Sequence, residues 1–171
     1  MLLPFSTIIN NKPTYFVEKI WAGFALNQVD TSGVKLEHID RAYYEAYGDS
    51  PFDYESDFKP KLHTIRRDNY DRWKSGVLID YFINARKKNM FRFAPRVPVV
   101  SKQRIFMTYL PQCGLGFRVS INGRQLAEDE VEQLAFNDGF EAVEDFEDYF
   151  IAQMENDEYS GKIIHWTNLK Y

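Results

Sequence analysis

The sequence predicts an α+β fold: a compact β unit with helices at both ends of the chain. Apolar residues recur at helical spacing in the first third and again after Leu126. Between them lie short β-type runs separated by turn residues. The length, 171 residues, suits one domain.

The elements follow in order. PTYFVEKIWAGFALNQ places Phe16, Ile20, Phe24 and Leu26 near one helical face, with Pro13-Thr14 as a start and Glu18 in the early turns. After a linker containing Gly33, VKLEHIDRAYYEAYG offers Leu36, Ile39, Tyr43 and Tyr47 at helical spacing, closed by Gly48. DSPFDYESDFKP reads as a polar, proline-bounded loop. KLHTIRR, VLIDYFIN, RIFMTYL and GFRVSING are the strand candidates. Asn122-Gly123 is a tight-turn signal, with a short return strand over Arg124 to Leu126. Strands this short suggest a small barrel or a highly twisted sheet. LAEDEVEQLAFNDGF predicts a helix closed by Gly139, with Glu128, Asp129 and Glu130 at its positive end. EAVEDFEDYFIAQM sets Val143, Phe146, Tyr149, Phe150 and Met154 on one stripe, and GKIIHWTNLKY reads as a terminal strand.

Composition bounds the function. No apolar run approaches the roughly 20 residues that a membrane-spanning helix needs. MLLPFSTIINNKP lacks the basic start and small-residue cleavage site of a signal peptide. One cysteine, Cys113, allows no internal disulfide and fits a reducing compartment, most simply the cytoplasm. With one Cys and three His, a structural zinc site is not expected, and no cofactor is called for.

The net charge of −4 hides an asymmetry. From Lys59 to Arg104 there are 13 Lys and Arg against 3 Asp and Glu, whereas the remainder holds 8 against 22. A solvated basic loop balanced by acidic helices explains such sorting, and so does a patch for phosphate-bearing partners. In the first part, Thr64 and Arg66 share one face of a strand, with Lys61 and His63 opposite. A bulge would bring Lys61 round to Thr64, where a lysine of lowered pKa acts as base. His63 reads as a strand residue. Trp73, between Arg72 and Lys74, either stacks on a base or anchors its loop in the core. Arg86, Lys87 and Lys88, with Phe91 and Phe93 close by, interleave cations and rings as single-stranded nucleic acid requires; a solvated hairpin tip with apolar anchors has the same composition. His165 and Trp166 read as a hydrogen-bonded edge and a core plug, or as a nucleobase holder beside a cleft. The acidic helical face leaves a protein-interaction role open.

KPKLHTIR resembles the signature of the ASCH domain, a relative of the RNA-binding PUA domain: Gly-x-Lys-x-x-x-x-Arg with a Thr two places before the Arg. Lys61, Thr64 and Arg66 fall on the pattern, and Lys59 stands where the family has Gly. RWKSG leading into a strand and the order of NDGFEAVEDFEDYF are similar to the family. HWTNLKY resembles the closing strand of several phage and bacterial members. The resemblance covers about 16–20, 59–83 and 126–171, and leaves a helical insertion at about 30–58. It implies a PUA-like small β-barrel whose cleft is bordered by Lys61, Thr64 and Arg66. It also implies binding of RNA or a modified nucleotide. Read from their own charge and ring chemistry, Arg67, Arg72, Trp73, Lys74, Arg86, Lys87, Lys88, His165 and Trp166 are further candidate contacts for RNA, single-stranded nucleic acid or a nucleotide. Some small members remove the acetyl group of acetylcytidine, with the lysine as base, the threonine as nucleophile and a glutamate on a later strand as acid. Lys61 and Thr64 match the first two roles. RIFMTYL, in the place of that later strand, contains no carboxylate, and Asp80 lies on the preceding one.

Overall fold

Leu3 and Phe5 alternate with Leu2 and Pro4, which suits a strand with one buried face. The computed structural model describes residues 1–50, 52–53 and 56–171, and it begins with that strand, β1 (Leu2–Phe5). Pro51, Tyr54 and Glu55, in the loop expected before Lys59, lie outside the described residues. A small hairpin follows, β2 (Ile8–Ile9) and β3 (Lys12–Pro13). Its turn residues Asn10 and Asn11 have φ of 50° and 59°, a left-handed geometry that asparagine tolerates. Then come α1 (Phe16–Leu26) and α2 (Leu36–Tyr47), the latter within the expected insertion. α1 buries Phe16, Ile20 and Phe24 as its spacing predicts, but Leu26 at its end is 67% exposed.

The middle of the chain supplies β4 (His63–Arg66), β5 (Leu78–Ile83), β6 (Phe91–Arg92), β7 (Val97–Pro98), β8 (Ser101–Tyr109), β9 (Phe117–Ile121) and β10 (Arg124–Gln125). The last third is α3 (Glu128–Asn137), α4 (Val143–Ile151) and β11 (Glu158–His165). The fold is therefore mixed α+β. Among the described residues no helix is long and apolar enough to cross a membrane.

The strands do not close into the expected barrel; among the described residues they form separate sheets. β4, β8, β9 and β10 join β11 in a five-stranded sheet of order β10-β9-β8-β11-β4. β5 belongs elsewhere: β1 takes one edge in parallel register, Leu2 opposite Asp80, and β6 and β7 pair along it antiparallel. The N-terminal strand, unanticipated from sequence, occupies an edge of β5.

The five-stranded sheet carries one core on one face, and a second core covers only the Ile164 end of the other. On one face Ile65, Ile105, Met107, Val119 and Ile163 pack against α3 and α4 through Leu134, Phe146 and Phe150. On the other face, Ile164 and Trp166 join a second core with α1 and the β1-β5 sheet, built on Phe5, Phe24 and Tyr81. Strand alternation makes this possible, since Ile163 and Ile164 point to opposite faces.

Candidate functional site

The chain around Lys61 is clamped between two helices. Lys61 N–H donates to the Lys19 carbonyl on α1 at 2.9 Å, and Leu62 N–H donates to the Asn137 carbonyl at the end of α3 at 2.8 Å. Gly23 permits the approach of α1, because a Cβ there would stand 2.5 Å from the Lys61 carbonyl oxygen. α3 ends in a Schellman arrangement: Gly139, at φ 91°, donates to Phe136 and Phe140 donates to Ala135. The preceding residue, Asp138, is buried.

The Lys61 ammonium meets Asp138. Nζ donates to Oδ1 at 2.8 Å and also to the Asp138 backbone carbonyl, and it lies 4.5 Å from the centroid of the Phe16 ring. Lys19, also buried, donates to the Gly139 carbonyl at 2.8 Å and pairs with Glu141. Two buried cations thus gather at the C-terminal end of α3, where the helix dipole favours positive charge.

His63 completes the cluster. Its Nδ1 faces the same Asp138 Oδ1 at 3.4 Å, and its Nε2 lies 2.7 Å from the Tyr171 hydroxyl. That hydroxyl also accepts from Asn137 Nδ2 at 2.9 Å, so Tyr171 ties His63 to the end of α3. Burial pulls Lys61 down to about 8, against the attraction of Asp138. Burial likewise lowers His63, opposed by Asp138. For Asp138 itself burial is the largest influence and pushes upward, but Lys61 and His63 together outweigh it and the carboxyl lies below its ordinary value. His165 is drawn down to about 3 by burial, then by His63 and Lys170.

Thr64 is not part of this cluster. β4 pairs with β11 in unbroken register, Thr64 opposite Ile164 and His63 opposite His165, with no bulge. Lys61 and His63 therefore face α3 while Thr64 is buried on the opposite side of the strand, against Ile164. The pairing of Lys61 with Thr64 as base and nucleophile is corrected by this alternation: the group at Lys61 is the carboxylate of Asp138. Asp80 is held by Arg96 Nε at 2.7 Å on the other sheet.

The remaining sequence candidates divide by exposure. Trp73 is buried, its backbone N–H donating to Asp68 Oδ2 at 3.1 Å, and the buried ring offers no face to a base. His165 is buried with both ring nitrogens lacking a hydrogen-bond partner, and Trp166 is buried at 5.6 Å from Tyr81. Neither lines a cleft: the alternation that puts Ile163 and Ile164 in two cores carries both rings inside. Arg72 lies 3.7 Å from Asp68, and Lys74 is exposed. Arg67 pairs with Glu155 at 3.1 Å. Arg86, Lys87 and Lys88 are exposed on the β5–β6 turn, but Phe93 is buried and Phe91 packs edge-on against Tyr43 at 5.0 Å, so no rings interleave with the cations.

Arg66 leads to a different surface. It is half-buried, Nη2 donating to the Pro4 carbonyl at 2.8 Å and its guanidinium 5.5 Å from the Phe5 ring. In register, Arg66 stands opposite Lys162, and Lys162 opposite Arg104. Two residues along, Ser160, Phe106 and Ser120 form the next row on the same face. Phe106 is 39% exposed. An open groove of about 600 Å³ runs over Arg104, Phe106, Ser120, Asn122, Ser160 and Lys162. Lys102 shares the face, paired with Asp71, which also approaches Lys162 at 3.9 Å. Arg118 lies one row beyond Phe106, and neither it nor Arg104 has an ion-pair partner among the described residues. Lys102, Arg104, Phe106, Arg118 and Lys162 were not singled out from sequence. Their one signal is the alternation Arg104-Ile105-Phe106-Met107, which puts a cation and a ring together on the face opposite the apolar residues.

Comparison with protein-family models, with curated proteins and with solved structures returns no match for this chain.

Proposed function

We propose that this chain binds single-stranded nucleic acid, RNA foremost, on the open face of the five-stranded sheet. The observation that carries the reading is Phe106, an exposed ring on a strand interior, next to the cationic row of Arg66, Lys162 and Arg104. Folding normally buries such a ring. Here the ring stays open to solvent, beside cations at strand spacing. A base stacks on the ring while the cations hold the backbone phosphates, an arrangement that tolerates many sequences because every base has a π-face. Ser120, Ser160 and Asn122 along the same groove supply hydrogen-bonding groups for sugar and base edges. Kinship with the ASCH family and its PUA-like barrel belongs to the same proposal; its support is the pattern Lys61, Thr64, Arg66, of which Arg66 reaches this face.

Fluorescence anisotropy with a labelled 12-nucleotide RNA at several salt concentrations tests the reading. Phe106→Ala removes a stacking contact of about 1–3 kcal/mol and weakens binding by about 5- to 150-fold. Arg104→Ala weakens all sequences alike and lowers the slope of log affinity against log salt by about one. Absence of binding at 50 mM salt, or a Phe106→Ala protein that binds as well as wild type, overturns it.

A further inference from the structure

We propose that the groove between α1 and the start of α2 is a second binding site, for a small organic ammonium ion with an apolar body. The groove has a volume of about 520 Å³, within the range of about 300–1,000 Å³ usual for small-molecule sites. Trp21, Phe24, Val29 and Leu36 supply apolar walls. The walls are set in place before any ligand arrives. The Trp21 indole donates to the Phe93 carbonyl at 3.0 Å, and Phe58 on the opposite side stacks on Tyr15 at 4.8 Å.

Charge selects the headgroup. Glu18, Asp53 and Asp57 line the groove, against Lys35 as its one cation among the described lining residues. Glu18 is buried and accepts from the Asp53 N–H at 3.1 Å. Burial raises its pKa, so a cation brought beside it restores favourable surroundings for the carboxylate. Phosphate-bearing ligands are repelled by the same groups. The site is therefore chemically distinct from the basic sheet face and independent of the nucleic-acid reading.

The test uses the full chain and three isosteric probes: 2-phenylethylammonium, 2-phenylethanol and 3-phenylpropionate, followed by saturation-transfer NMR and titration calorimetry. The ammonium binds at least about tenfold more tightly than the alcohol, as one charge-assisted hydrogen bond requires. The carboxylate gives no transfer. Glu18→Gln with Asp57→Asn brings the ammonium down to the level of the alcohol. Ala25→Trp, at an exposed lining position of α1, fills the groove and abolishes binding of both, and it decides the matter where the double variant fails to fold. No binding of any probe, equal binding of ammonium and alcohol to the wild type, or undiminished ammonium binding to Ala25→Trp overturns the proposal.

Discussion

Lys61 and Asp138, 77 positions apart in the chain, form an ion pair at 2.8 Å whose side chains are 1% and 6% exposed. The lysine comes from the segment entering β4 and the carboxylate from the residue that ends α3. The pair joins α1, β4 and α3 at one point, and its energetics are those of charges held out of water.

Removing one partner alone leaves the other charge uncompensated. Lys61→Met is expected to destabilise the protein by about 3–5 kcal/mol, with the loss largely recovered in Lys61→Met combined with Asp138→Leu. Urea unfolding of the two singles and the double closes the cycle. Equal loss in single and double variants would show that packing, not charge, dominates.

Gly23 offers a change of sign. Within an exposed helix, Gly→Ala stabilises by about 1 kcal/mol. Here the added Cβ meets a backbone oxygen at 2.5 Å, so α1 must shift. Gly23→Ala is expected to lower stability by about 1–3 kcal/mol, read from the thermal midpoint. A rise in the midpoint would contradict the packing described.

Stability depends on acid through the buried histidines. The His165 value is about 3 in the folded protein against 6.5 ordinarily, so the unfolded chain takes up a proton first as pH falls. Stability is then full above pH 6.5 and declines at about 1.4 kcal/mol per pH unit through this group as pH falls toward its folded value. His63 is lowered by burial as well and acts in the same direction. His165→Phe is expected to remove about one proton from the slope between pH 6 and 4, measured by urea unfolding at each pH. An unchanged slope would sink this assignment.

Trp73 separates folding from binding. Buried as it is, Trp73→Ala is expected to lose about 3–5 kcal/mol of stability while the folded fraction keeps its affinity for RNA. Replacing Arg86, Lys87 and Lys88 by Ala is expected to do the opposite. Stability is retained, and affinity falls at low salt only, because these cations act at a distance through a screened field. A salt-resistant loss from the triple variant would move the contact surface to the β5–β6 turn.

Much of the secondary structure was legible because periodicity reports it directly. α1, α2, α3 and α4 follow apolar stripes, and Gly48 and Gly139 sit at helix ends with left-handed φ. The paired short strands β2, β3, β6 and β7, two residues each, carry too few side chains to show a period. The partner of Lys61 was not legible either. A search along later strands could not find Asp138, because a helix end 77 residues away supplies it. The alternation in β4 was readable, but whether a bulge interrupts it depends on β11, and the unbroken register decides it.

The sequence by itself determined the α+β class, the helices and most strands, and the concentration of positive charge between Lys59 and Arg104. Each follows from local spacing or composition, which one stretch of chain carries alone. Only the tertiary structure decided which strands share a sheet, which of those cations face water together, and which polar groups are sealed inside. The physical reason is strand pairing: β1 occupies an edge of β5, β11 lies between β4 and β8, and that order sets Arg66, Lys162, Arg104 and Phe106 on one open face.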